Sequence, residues 1–69
     1  MKFTENEARS LIAEEFKRLG INKLLEALER ESGAKVHNTV IYKLLKGGSK
    51  PAFVIMLAYV LANAKSKET

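Results

Sequence analysis

The chain of 69 residues has no cysteine and no tryptophan, one histidine and one proline. Without cysteine there is neither a disulfide framework nor a thiolate zinc site, and nothing marks an oxidising compartment, so a reducing cytoplasm is the expected setting. The lone His37 has no carboxylate close to it in sequence, and no metal-ligand spacing of histidine and glutamate occurs. Long apolar runs are also missing. The longest uncharged stretch, residues 51–64, is 14 residues, against the roughly 20 needed to cross a bilayer. It predicts a buried helix and no membrane partner. Residues 1–7 lack the basic stretch and apolar run of a secretory leader.

Acidic residues are missing from most of one half. Residues 1–31 carry six basic and seven acidic side chains, whereas residues 32–69 carry six lysines and only Glu68. The net charge of +4 is thus concentrated in the second half, where Lys35, Lys43, Lys46 and Lys50 lie close together with no acid between Ser32 and Lys67. Such a segment is either a solvated lysine surface or the site of an anionic partner, of which a polyphosphate is the commonest.

What is present reads as helices. A chain this short buries only about 60% of its unfolded surface, so it is one domain with a small core that an oligomer would help. Thr4 and Glu7 form a capping box with Phe3 placed to staple onto Ala8, which predicts a helix from about Glu5. Its inner face would be Ala8, Leu11, Ile12, Phe16 and Leu19, and its outer face would carry Glu5/Arg9 and Glu14/Arg18 pairs, with Glu15 also solvated. Gly20 ends it. A second helix, capped by Asn22, would present Ile21, Leu24, Leu25 and Leu28 inward and Glu26/Arg30 outward, and stop at Gly33. Asn38 is the next cap candidate, followed by the apolar stripe Val40, Ile41, Leu44 and Leu45. Gly47 and Gly48 break that helix, Ser49 or Lys50 caps the next, and Pro51 suits its first turn. The last helix is expected to run to about Ala64, with a frayed polar tail beyond it. The fold class is therefore all-α, a compact bundle of four or five helices, ordered over about residues 4–64.

The third helix carries the functional signal. Its outward face, Thr39, Tyr42, Lys43 and Lys46, is polar, basic and aromatic without an acid. A helix of this character suits a DNA major groove: asparagine pairs with adenine, threonine meets a base edge or a thymine methyl, lysine reaches guanine or phosphate, and tyrosine bonds phosphate. His37, Asn38 and Thr39 stand at the N-terminal end, where such helices come closest to the bases. For Asn38, capping and base contact compete for one side chain.

The stretch TVIYKLLKGGSKP at residues 39–51, followed by AFVIMLAYVL at 52–61, resembles the back half of lambda-repressor-like (Cro-type) domains, in the manner of small phage repressors and addiction-module antidote proteins. Residues 20–24, GINKL, resemble the start of the first motif helix in that family. The resemblance implies a helix-turn-helix whose buried anchor is Ile41. Carried over by position, Asn22 and Lys23 would touch phosphate, and His37, Asn38, Thr39, Tyr42 and Lys43 would face the groove. Together with the charge pattern, the expected base contacts are His37, Asn38, Thr39 and Lys43, and the expected phosphate contacts are Asn22, Lys23, Lys35, Tyr42, Lys46 and Lys50. The segment from Leu24 to Ile41 is several residues longer than the family pattern, which implies a longer second helix or an enlarged turn over residues 32–36.

The last helix is apolar nearly all round. Phe53, Val54, Leu57, Val60 and Leu61 would fill the core, leaving Ile55, Met56 and Tyr59 over as a patch. Either the bundle engulfs them or they form a twofold dimer interface. No catalytic constellation emerges. Gly47-Gly48-Ser49-Lys50 lacks the strand and spacing of a phosphate-binding loop, and no cofactor is implied. The expectation is a homodimeric regulator of double-stranded DNA, not an enzyme, with a protein-interaction module that binds a toxin as the alternative.

Overall fold

In the computed structural model, which describes residues 2–67, the chain forms four helices: α1 (Glu5–Leu19), α2 (Ile21–Ser32), α3 (Asn38–Leu45) and α4 (Pro51–Lys67). The capping box forms as the sequence predicts. Thr4 Oγ1 accepts the Glu7 amide at 3.2 Å, and Glu7 Oε1 accepts the Thr4 amide at 2.9 Å. The bond from the Thr4 backbone, reinforced by the Thr4 side chain, holds the Glu7 carboxyl below its ordinary pKa.

The α1–α2 junction is tighter than expected. Gly20, at φ 82° and ψ 167°, serves both helices: its amide closes α1 on Phe16 O at 2.9 Å and its carbonyl opens α2 on Leu24 N at 3.1 Å. Asn22 is therefore not a cap; it lies inside the first turn of α2. The reason is the backbone of Gly20, which reverses the chain in one residue through a region essentially closed to other residues at a cost of about 1–3 kcal/mol. Nothing lies within 4 Å of where a Cβ would stand, so that cost is one of backbone alone.

The middle segment divides between a helix and a connection. α2 is 12 residues long and closes on Gly33, whose amide bonds Glu29 O at 2.8 Å, and residues 33–37 then form a non-helical connection. At the start of α4, Lys50 takes the capping position, its carbonyl accepting the Val54 amide at 3.1 Å. α4 continues past Ala64 to Lys67. There Lys67 Nζ lies 3.0 Å from Glu31 Oε1 on α2, and the last two residues of the expected frayed tail lie outside the described residues. Arg30, expected to face Glu26, lies 3.9 Å from Glu31.

The core is Ala8 and Ile12 of α1, Leu24 and Leu28 of α2, Ile41 and Leu44 of α3, and Val54, Leu57, Ala58 and Leu61 of α4. α1 and α4 share the most extensive contact, α2 packs on α4, and α3 leans chiefly on α1. Leu11, Phe16, Ile21, Leu25 and Leu45 are half-buried around this core. Two expectations for α4 are corrected. Phe53 is not in the core but 38% exposed, and Ile55 is not spare but packs against the core from its edge. Ala58 and Ala64 are buried, and small residues there let neighbouring helices approach closely.

Glu15, expected on the solvated face, is buried, with only 3% of it exposed. It shares the inner face of α1 with Ala8 and Ile12, and it survives there because Arg18, one turn on, donates to both of its oxygens at 2.6 and 3.2 Å. That bond, helped by the charges of Arg18 and Lys65 and opposed by burial, lowers the Glu15 pKa. A carboxylate whose pKa is depressed by folding contributes stability above its unfolded value of about 4.3, and that contribution is lost as pH falls through the folded value. Melting temperatures between about pH 3 and 7 should therefore fall less steeply on acidification in Glu15→Gln than in the parent chain. Parallel curves would show that Glu15 does not contribute to acid sensitivity.

Candidate nucleic-acid interface

α3 is eight residues long and begins one residue earlier than a cap at Asn38 would allow: His37 is the capping residue, and its side chain makes no cap hydrogen bond. Asn38 is the first helical residue, exposed, with its amide group not engaged in capping. The competition between capping and base contact is thereby removed. The first turn of α3 has no side-chain cap and no acidic residue, and its Val40 amide bonds His37 O at 3.1 Å.

The other end is closed by backbone. Gly48 N bonds Lys43 O at 2.9 Å and Gly47 N bonds Leu44 O at 3.1 Å, the paired bonds of a Schellman motif with Gly47 at φ 96°. Gly48 passes so close to the helix that a Cβ there would stand 2.7 Å from Lys43 Cγ and 3.0 Å from Lys43 O. The turn thus lies close against α3, and Gly48 lines a surface feature there.

That feature is an open concavity of about 500 Å³ lined by Thr39, Tyr42, Lys43, Lys46 and Gly48. With about 100° between successive residues of a helix, Thr39 and Lys46 stand opposite the buried Ile41 and Leu44. Tyr42 and Lys43 flank them, and Asn38 lies about a quarter-turn away. Tyr42 is 41% exposed, and its ring meets Phe16 of α1 edge-on at a centroid distance of 6.1 Å, which holds it in place. Among the described residues, Lys43 and Lys46 have no carboxylate within 4.0 Å.

Of the residues expected to face bases, the structure gathers Thr39 and Lys43 in this concavity, with the phosphate candidates Tyr42 and Lys46. His37 and Asn38 are exposed beside it at the start of α3, and Lys35 is exposed in the connection before them. Asn22 and Lys23 are exposed on the first turn of α2, and Lys50 is exposed just before α4; none of these three lines the concavity.

Sequence reasoning missed Arg9, which it treated as no more than the partner of Glu5. The Glu5 pair forms, at 2.9 Å, but the guanidinium also donates to Leu44 O at 2.9 Å, Gly48 O at 3.0 Å and Ser49 O at 3.3 Å. It ties α1 to the end of α3 and the turn after it. Ser49 holds φ 75°, an uncommon conformation for a residue with a side chain. No local signal could have revealed these bonds, whose partners lie far along the chain.

On α4, the exposed apolar side chains are Met56 at 64%, Phe53 at 38% and Tyr59 at 37%. The expected set of Ile55, Met56 and Tyr59 thus exchanges Ile55 for Phe53, and Tyr59 is braced edge-on against Phe3 at 5.0 Å. Among the described residues, no group of histidine, aspartate or glutamate side chains could hold a metal ion, and no helix is long and apolar enough to cross a membrane. Neither a family model, a curated protein nor a solved structure matches this chain.

Proposed function

We propose that this chain is a sequence-specific, double-stranded-DNA-binding regulator that acts as a homodimer on operator DNA, most simply as a repressor, with α2 and α3 as its helix-turn-helix. The observation that carries the reading is the outward face of α3, where Thr39, Tyr42, Lys43 and Lys46 surround one concavity in a stretch of chain without an acid. Each side chain has a contact to make. Thr39 and Lys43, with Asn38 and His37 at the helix start, would meet base edges. Tyr42 and Lys46, with Lys35, Lys50, Asn22 and Lys23 further out, supply phosphate contacts. The start of α3, which has no side-chain cap and no acidic residue in its first turn although Val40 N is bonded to His37 O, favours a phosphate in the same direction.

The Phe53, Met56 and Tyr59 stripe supports a second reading, in which α4 binds a protein partner such as a toxin and DNA contact is secondary. Titration of duplex DNA at several salt concentrations decides between them. If Lys23, Lys43, Lys46 and Lys50 each neutralise about one phosphate per protomer, a dimer neutralises about 6 to 8, and log K falls against log salt with a slope of about −5 to −7. No binding at low salt, or a slope near zero, overturns the DNA reading.

Specificity is tested separately. Thr39→Ala or Asn38→Ala should cost about 1–3 kcal/mol on a selected cognate duplex and much less on random sequence. Since the Asn38 side chain caps nothing, alanine can be used there without loosening the helix start. Equal losses on both duplexes would reduce α3 to a basic patch.

A further inference from the structure

We infer that Arg9 of α1 is the positioning residue that sets the angle at which α3 presents its outward face; the inference rests on reading that face as the duplex contact. α3 is eight residues long, too short to be stable alone, so its orientation comes from what it packs against. Its main neighbour is α1. Ile41 and Leu44 enter the core beside Ala8 and Ile12, and Tyr42 rests on Phe16. These apolar contacts anchor α3 but, being non-directional, specify its angle less sharply than hydrogen bonds do.

Arg9 supplies the direction. Its guanidinium is a rigid plane of donors, and here one plane serves the carbonyls of Leu44, Gly48 and Ser49 while Glu5 Oε2 holds its Nε at 3.0 Å. Three acceptors spanning the last turn of α3 and the following loop fix the helix end relative to α1. The positive charge also sits at the negative end of the α3 dipole. Gly48 lines the concavity, and Lys46 lies along the chain between the bonded carbonyls of Leu44 and Gly48. Moving this end therefore moves Lys43 and Lys46 relative to Thr39. The Arg9 side chain is only 22% exposed and already engaged, so it acts through α3 and not on DNA itself.

The test compares the full chain with Arg9→Met, which keeps the aliphatic stem, and Arg9→Lys, which keeps the charge but has no planar fork. Folding is checked by circular dichroism, and binding is measured on a random-sequence duplex of about three helical turns. Arg9→Met should weaken binding about tenfold through lost preorganisation, with Arg9→Lys in between, and the loss should vanish in a chain already carrying Lys43→Ala and Lys46→Ala. A loss that persists in that background, with a salt slope flatter by about one unit per site, would make Arg9 a phosphate contact and overturn the inference. So would unchanged affinity. Amide exchange separates this outcome from failure of the DNA reading: in Arg9→Met the Gly47 and Gly48 amides should exchange at least about tenfold faster while those of α2 and α4 keep their protection. If the parent chain does not bind duplex but this local loosening is seen, the DNA reading falls and the clamp stands. If the exchange is unchanged, the clamp falls whatever the binding. Should Arg9→Met fail to fold, Glu5→Gln, which loosens the guanidinium without removing it, is expected to give the same pattern more weakly; unchanged binding and exchange in that variant would overturn the inference.

Discussion

Ile41→Ala should lower the unfolding free energy by about 2–5 kcal/mol, the usual cost of truncating a fully buried isoleucine where the surroundings relax only in part. Ile41 has no exposed surface and is one of only two fully inserted side chains by which α3 enters the core. A domain of this length commands a total of about 3–10 kcal/mol, so the variant would be close to unfolding at room temperature. Urea denaturation followed by circular dichroism measures this. Val40→Ala on the half-buried edge of the same helix is the control and should cost well under half as much, since less surface is lost and alanine favours helix. An Ile41→Ala cost below about 1 kcal/mol would mean that α3 is not anchored by this residue.

The largest functional effect is expected from Lys43→Ala combined with Lys46→Ala. Both side chains are exposed and have no carboxylate partner among the described residues, so the fold should keep its melting temperature. Duplex affinity at moderate salt should fall by about a hundredfold or more, and the salt slope should flatten by about 3 to 4 units per dimer. A matched pair of changes on the C-terminal turn of α4, Lys65→Ala with Lys67→Ala, removes the same charge from another part of the surface. Equal losses from the two pairs would mean that net charge, and not the α3 face, governs binding. The Lys67–Glu31 pair makes that control a measure of stability as well, and the two effects are read separately by melting and by binding.

Local sequence determined the elements that local physics governs. The start of α1 follows from Thr4 and Glu7 because a capping box closes within three residues. The ends of α2 and α3 follow from Gly33 and Gly47, which adopt left-handed conformations there. The inner stripe of α3 is legible because Ile41 and Leu44 stand out against threonine, tyrosine and lysine. The two asparagine caps were misplaced for one reason: side-chain propensity at Asn22 and Asn38 is outweighed by the path of the chain, which turns at Gly20 and at His37.

What the sequence settled by itself is an all-helical chain, broken at its glycines, with all but one of its acids in the first half and an acid-free stretch from residue 32 to residue 67 whose third helix turns threonine, tyrosine and lysine outward. Only the tertiary structure decided the rotation of α4, because a helix that is apolar on nearly every side has no periodicity to show which side is buried. Packing against α1 and α2 drew in Val54, Leu57, Ala58 and Leu61 and turned Phe53 and Met56 outward. It also decided the fates of two charged residues that look alike on paper. Glu15 is buried because Arg18 satisfies it there. Arg9 reaches across to Leu44, Gly48 and Ser49 because the end of α3 and the turn after it present these carbonyls at the place where α1 passes, that of Leu44 accepting Gly47 N as well, a meeting of distant residues that no local pattern encodes.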